Sequence, residues 1–320
     1  MTILVTGIAG FIGSHLGEKL IAGGHRVVGI DNFDPFYPRT FKEENLRQLK
    51  QSPGFTFIEA DIRDPERLSA LFSQHKIDAV IHLAAKAGVR PSIEHIKDYY
   101  DVNLNGTTNI LECMREAGVS KLVFASSSSV YGNNTKVPFS ETDIVDNPIS
   151  PYASTKKSGE LLCHVYSHLY GFDINCLRFF TVFGPRQRPD LAIHKFVRLI
   201  DLGKPLPFFG DGSTARDYTY IDDIVNGIIC ALENLKGYNV YNLGESRIIT
   251  LQDLIQGIEK AMGKKATLDR KPKQPGDVEK TYADIHKAKT EIGYNPAFSL
   301  DQGLANFVQW YQAKKEILYK

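Results

Sequence analysis

The sequence has 320 residues, 42% hydrophobic and 23% charged, with a formal net charge of +1. A chain of that length and apolar content can bury a large core, and near-neutral charge without a basic tract leaves no footprint for nucleic acid. No apolar run approaches the roughly 20 residues that cross a bilayer, so no membrane span and a small-molecule partner are expected.

After Met1 the run TILVT reaches Gly7, with further glycines at Gly10 and Gly13. A Gly-x-x-Gly-x-x-Gly turn between a strand and a helix gives a tight turn, a backbone bare enough for a pyrophosphate to approach, and close helix–strand packing. The next run, HRVVGID, ends in Asp31. An acid about 20 residues past the glycine turn accepts hydrogen bonds from ribose hydroxyls and repels a 2′-phosphate. No arginine directly follows Asp31, so NAD is expected over NADP. FTFIEAD leads to Asp61 and Ile62, which either flank an adenine or, for Asp61, cap the next helix. DAVIHLAA, KLVFASS and DINCLRFF continue the apolar runs, separated by helix-like segments such as GSHLGEKLIAGG and DVNLNGTTNILECMREAG. Strands apolar along their length, alternating with helices, predict an α/β fold with a Rossmann-like, doubly wound parallel sheet.

Beyond about residue 180 the strands shorten to PLPFFG, RDYTYI and YNVYNLG, mixed with helices such as ITLQDLIQGIEKAMG. The expected organisation is an NAD-binding Rossmann-like domain over residues 1–180, to which later segments return, and a smaller C-terminal α/β region over 181–320 that mainly binds substrate. No low-complexity linker separates them, which places a cleft between them. Cys113, Cys163, Cys176 and Cys230 show no Cys-x-x-Cys or metal spacing. No metal is expected, and the strand-forming run from Thr2 leaves no room for a leader, so a cytoplasmic protein with reduced thiols is the expectation.

YASTK places Tyr152 and Lys156 at i and i+4 on a helix starting after Pro151, hence on one face. A tyrosine near its reference pKa of about 10 is a poor base at neutral pH, and a cation one turn away stabilises the phenolate. SSSSVYG, from Ser126 to Gly132, follows the fifth apolar run, where an open α/β sheet presents its ligands. A hydroxyl there can donate to an alkoxide or ketone while a tyrosine takes or returns the proton. Ser126 itself reads as a polar exit from strand to loop.

Taken together, the glycine turn, the serines, the Tyr-x-x-x-Lys helix, the Asn-x-x-Gly-Thr-x-Asn run from Asn103 to Asn109 and the late RDYTYIDD resemble the extended short-chain dehydrogenase/reductase family of nucleotide-sugar enzymes over essentially the whole chain. The resemblance implies a UDP-sugar substrate, tightly held NAD, Tyr152 as catalytic base, Lys156 as its modulator and ribose anchor, and Ser127 as the third member. It implies that Lys86 and Asn103 help hold the cofactor, with Phe11, Ile12, Asn32, Leu83, Ala84 and Ala85 alongside. It places Arg216 on the nucleotide diphosphate, and Arg90 and Asp277 on the substrate side.

In such enzymes Tyr152 would take the 4-hydroxyl proton while C4 is oxidised, leaving a 4-keto sugar. The 4,6-dehydratases of the family carry an Asp-Glu pair before Val-Tyr-Gly, and the decarboxylases a glutamate; here Ser128 and Ser129 stand there. That leaves re-reduction on the opposite face, a 4-epimerisation, and an isomerase of the EC 5.1.3 class. RFFTVFGPRQRPDLA, from Arg178 to Ala192, and QPGDV, from Gln274 to Val278, resemble UDP-glucuronate 4-epimerases more than UDP-galactose 4-epimerases, which usually carry asparagine where Thr181 stands and arginine where Gln274 stands. Thr181, Ser128 and Ser129 would surround a C6 carboxylate, and Arg188 would meet the UDP or uronate end. The alternatives are a UDP-glucose or UDP-N-acetylglucosamine 4-epimerase, a dehydratase or decarboxylase, and a net dehydrogenase.

Helices over Val102–Glu116 and Tyr152–Tyr170 are apolar on more than one face, with Leu104, Ile110, Leu111, Leu161, Leu162 and Val165 among them. In the family two such helices form a four-helix seam, so a homodimer is expected.

Overall fold

The computed structural model describes residues 1–272 and 280–319. The apolar runs form β1 (Thr2–Thr6), β2 (Arg26–Asp31), β3 (Phe55–Glu59), β4 (Ala79–His82), β5 (Lys121–Ser127) and β6 (Asp173–Phe179). They join one parallel sheet, ordered β6-β5-β4-β1-β2-β3, with the later strand Tyr238–Leu243 added at the β6 edge. The inner strands are sandwiched between helical layers, and the two-residue alternation sorts their side chains between two cores. Ile3, Val5 and Val123 enter one core; Leu4, Leu122 and Phe124 enter the other.

The chain runs outward from β1 through β2 to β3, then returns to lay β4 on the opposite side of β1. This reversal opens a crevice beyond the carboxyl ends of β1 and β4. Gly7, at φ +71°, sits at its mouth, and a Cβ there would lie 2.9 Å from the backbone nitrogen of Ala84. A Cβ at Gly13 would lie 2.3 Å from the Gly7 carbonyl oxygen, which is what lets helix α1 (Phe11–Ala22) settle onto the strand end.

The helix Pro151–Tyr170 begins where Ser150 Oγ accepts from the Ala153 amide at 3.1 Å, with proline in the first turn. Across from it, Asp101–Asn105 forms a π-helical turn that runs directly into the helix Gly106–Glu116. The C-terminal segments build small sheets at the rim: Thr181–Phe183 with Tyr218–Tyr220, Ala215–Arg216 with Ile249–Thr250 and Lys280–Thr281, and Leu206–Phe209 with Leu268–Lys271.

Candidate active site

A cavity of about 830 Å³ runs from the glycine turn to these rim segments. Gly7, Gly10, Phe11, Ile12 and Gly13 line one end of it. Gly10 caps α1 without a side chain, so the helix's first amides meet no side-chain cap, an arrangement suited to a diphosphate. Thr6 fixes this end: its hydroxyl accepts the amides of Leu83 and Ala84 at 3.1 and 3.0 Å. It also lies 2.7 Å from Nδ1 of His82. Burial lowers the His82 pKa to about 3, so the ring is neutral. Thr107 gives its own proton to the Asn103 carbonyl at 2.6 Å, so His82 Nε2–H donates to Thr107 and Nδ1 accepts from Thr6.

Asp31 is buried and lines the cavity, and its carboxylate accepts the amides of Ala9 and Phe33. The sequence reading missed Lys42, whose Nζ lies 3.4 Å from Asp31 Oδ1 and which also lines the cavity. It comes from a helix, Arg39–Leu46, at no fixed offset from the strand-end acid, so only three dimensions reveal the pair. Asn32 and Ile62 line the same end. Asp61 stands behind Asn32, accepting from its Nδ2 at 2.8 Å, and Arg63 holds the Asp61 carboxyl at about 2. The cap of the following helix is Asp64, correcting the alternative reading of Asp61.

Leu83, Ala84, Ala85 and Lys86 line the cavity along the β4 exit. Asn103 lies behind them, buried; its Oδ1 accepts the Lys86 amide at 2.8 Å, and its Nδ2 donates to the Lys86 carbonyl and to Thr155 Oγ1. The π-helical turn therefore ties the β4 exit to the Tyr152 helix. Lys86 Nζ sits 3.4 Å from Asp98 and 3.8 Å from Asp34.

Ser127, Tyr152 and Lys156 line one wall together. Burial raises the Tyr152 phenol above its ordinary range, offset by its hydrogen bond with Ser127 and by the charge of Arg188. Lys156 is buried, donates to the Ala125 carbonyl at 2.7 Å, and has its pKa lowered to about 8 by desolvation. Ser129 Oγ donates to Ser127 Oγ at 2.9 Å, and Ser128 and Thr181 line the same space. Ser126 is no simple strand exit: it is buried and donates to Glu160 Oε1 at 2.6 Å.

On the rim, Arg188 makes a two-pronged contact with Asp190 at 3.0 and 2.8 Å and packs its guanidinium 4.9 Å from the Phe36 ring. Arg90 and Arg216 also line the cavity. Arg186 turns away, pairing with Glu18 on α1 at 2.8 Å. Gln274 and Asp277 lie outside the described residues.

A parallel sheet with a glycine turn at its switch point and a serine, tyrosine and lysine sharing the adjoining wall define an extended short-chain dehydrogenase/reductase. Within that class, the chain belongs to the GDP-mannose 4,6 dehydratase family, whose profile matches residues 4–307. It is 46% identical to the UDP-glucuronate 4-epimerase of Thermodesulfobacterium geofontis over 316 residues, covering 98% of this chain and 97% of that one. Its fold matches the UDP-glucuronic acid 4-epimerase of Bacillus cereus solved with UDP-glucuronic acid and NAD, at a TM-score of 0.92 and 42% identity, covering 98% and 99% of the two chains. It also matches the UDP-glucose 4-epimerase of Thermotoga maritima solved with UDP-glucose, at a TM-score of 0.91 and 36% identity, over 98% and 100%.

Proposed function

We propose that the protein is an NAD-dependent isomerase that interconverts UDP-glucuronate and UDP-galacturonate at C4. One observation carries this reading: Ser127, Ser128, Ser129, Tyr152 and Thr181 line a single cavity with the glycine turn. The relatives named UDP-glucuronate 4-epimerases support the same substrate.

The capless start of α1 suits the diphosphate of NAD, and Asp31, Asn32 and Ile62 suit its adenosine half. Bound there, NAD supplies the two-electron acceptor and donor of the reaction. Tyr152 takes the 4-hydroxyl proton and later returns it, and Ser127 donates to the 4-oxygen as it becomes a carbonyl. Lys156, already desolvated, holds a cation beside the ribose and the phenol. Ser128, Ser129 and Thr181 fix the C6 carboxylate. A β-keto acid loses CO₂ when the breaking bond stands perpendicular to the carbonyl, so holding the carboxylate in another rotamer protects the intermediate. Arg188 and Arg216 take the anionic UDP, with Arg90 on the substrate side.

The active form is a homodimer. On the helix Pro151–Tyr170, Leu161, Val165 and Leu169 are exposed at a four-residue spacing, an apolar stripe that a second copy covers. Ile110 and Leu111, read from the sequence as part of this seam, are fully buried in the core. The four cysteines are free, which supports a reducing, cytoplasmic setting; among the described residues no helix is long and apolar enough to cross a membrane. Incubation with UDP-glucuronate, followed by NMR, tests the function: UDP-galacturonate is the expected product, and its absence overturns the reading.

A further inference from the structure

Behind the wall that carries Ser127, Tyr152 and Lys156 lies a polar cluster that the reaction does not use. Glu160 and Arg178 are both buried, and the guanidinium grips the carboxylate with Nε to Oε1 at 2.8 Å and Nη2 to Oε2 at 2.9 Å. Ser126 donates to the same Oε1, and Lys157 Nζ lies 3.7 Å from Oε2. The third guanidinium nitrogen, Nη1, donates to the Tyr131 hydroxyl at 3.0 Å, and Tyr131 donates onward to Asn242 Oδ1 at 2.7 Å.

Desolvating both ions costs several kcal/mol each, and a well-packed apolar pair often stabilises a fold as well or better. What the apolar pair lacks is direction. A two-pronged guanidinium–carboxylate contact fixes the angle as well as the distance between the elements that carry it. Here those elements are the ones that bear the reacting side chains. Glu160 follows Lys156 by one helical turn and Tyr152 by two, on the same face. Ser126 immediately precedes Ser127 and pairs across the sheet with Arg178. Thr181 follows Arg178 on the next strand, and Tyr131 closes the turn that holds Ser128 and Ser129.

We propose that Glu160, Arg178 and Ser126 are positioning residues that hold the serines, the Tyr152 helix and Thr181 in register for proton transfer. This proposal rests on the catalytic reading above. A displacement of about 1 Å in such a constellation costs on the order of 10²-fold in rate, and the clamp joins three separately connected segments at one carboxylate.

The test replaces the pair by an apolar one, E160L/R178M, and separately removes one hydroxyl, S126A. Turnover is read on UDP-glucuronate, or on UDP-glucose should the parent act only on that sugar. An inactive parent on UDP-glucuronate thus overturns the substrate reading and leaves the clamp testable. The double variant is expected to keep its thermal midpoint while kcat falls at least about tenfold and KM changes less than about threefold, the split expected when only transition-state geometry is lost. Its kcat–pH profile is expected to shift, because the Glu160 charge that favours the Lys156 cation is gone. E160D, which keeps the carboxylate on a shorter side chain, is expected to recover part of the loss. Retention of kcat within about twofold in a folded double variant overturns the proposal. If the double variant does not fold, S126A decides: an unchanged midpoint with kcat reduced about three- to tenfold supports the clamp, and parental kcat overturns it.

Discussion

Lys42 holds its ammonium 3.4 Å from the carboxylate of Asp31, with both side chains buried in the wall of the cavity. The acid that should repel a 2′-phosphate is therefore partly neutralised. Lys42→Met is expected to sharpen the preference for NAD over NADP several-fold, because no ammonium then offsets the field of the Asp31 carboxylate or attracts a 2′-phosphate. Asp31→Asn is expected to erase most of that preference. Calorimetric titration of nucleotide-free protein with each cofactor checks both, and a Lys42→Met ratio equal to the parent's removes the compensation argument.

Much of this site was legible in the sequence because its parts are local: a glycine turn, a strand-end acid and a one-turn Tyr–Lys pair each have a spacing that physics imposes. The alternation of apolar runs and helices likewise gave the parallel sheet. What stayed hidden joins distant segments. Lys42 reaches Asp31 from another element, and Ser126 reaches Glu160 across a helix–sheet interface that no spacing rule encodes. The exposed apolar stripe was half legible: periodicity marks Leu161 and Val165 as apolar, but cannot tell them from Ile110 and Leu111, which the core takes.

Tyr152→Phe, which removes the proposed base, is expected to leave a folded, cofactor-binding protein whose turnover drops at least about 10²-fold. Lys156 has its pKa lowered to about 8 from 10.5 by burial. A depressed folded value means that its contribution favours folding above the unfolded pKa and is lost as pH falls through about 8. Nucleotide-free Lys156→Met is accordingly expected to melt higher than the parent at pH 7, with the gap closing toward pH 10. A lower midpoint at pH 7 contradicts this.

Substrate choice follows from the hydroxyls. If Ser128, Ser129 and Thr181 hold a carboxylate, the parent should prefer UDP-glucuronate to UDP-glucose at least about tenfold in kcat/KM, which needs only ~1.4 kcal/mol of differential binding. Thr181→Ala and Ser129→Ala should slow epimerisation and release some UDP-4-keto-pentose with accumulated NADH, read by NMR and absorbance. Equal rates on both sugars in the parent point instead to a UDP-hexose epimerase.

Glu245 has its pKa raised to about 8, by burial and by hydrogen bonding to Asp223, and its Oε1 has no hydrogen-bond partner among the described residues. A raised folded value means that the stability its proton confers is present below the unfolded value of about 4.5 and is lost as pH rises through about 8. Glu245→Gln keeps the neutral shape at every pH. Its thermal midpoint should exceed the parent's at pH 9 by roughly 2–4 °C and match it near pH 5. A constant difference across that range rules out titration of Glu245 as the cause.

Placing a charge on the exposed stripe tests the assembly. Leu161→Glu together with Leu169→Glu should give a monomer in sedimentation analysis, with the parental far-ultraviolet spectrum retained. A parent that sediments as a monomer removes the homodimer.

The wide turn at Asp101–Asn105 settles a conflict of phase. An α-helix advances about 100° per residue, so one helix running unbroken from Asp101 to Glu116 has a single choice of which side chains face inward. Asn103 must point toward Lys86 and Thr155, while Ile110, Leu111 and Met114 must fill the core beneath the sheet. The π turn inserts one residue's worth of rotation between these two demands. Removing a single residue there would let the helix run on unbroken, yet would swing either the asparagine away from Lys86 and Thr155 or the apolar ridge out of its layer.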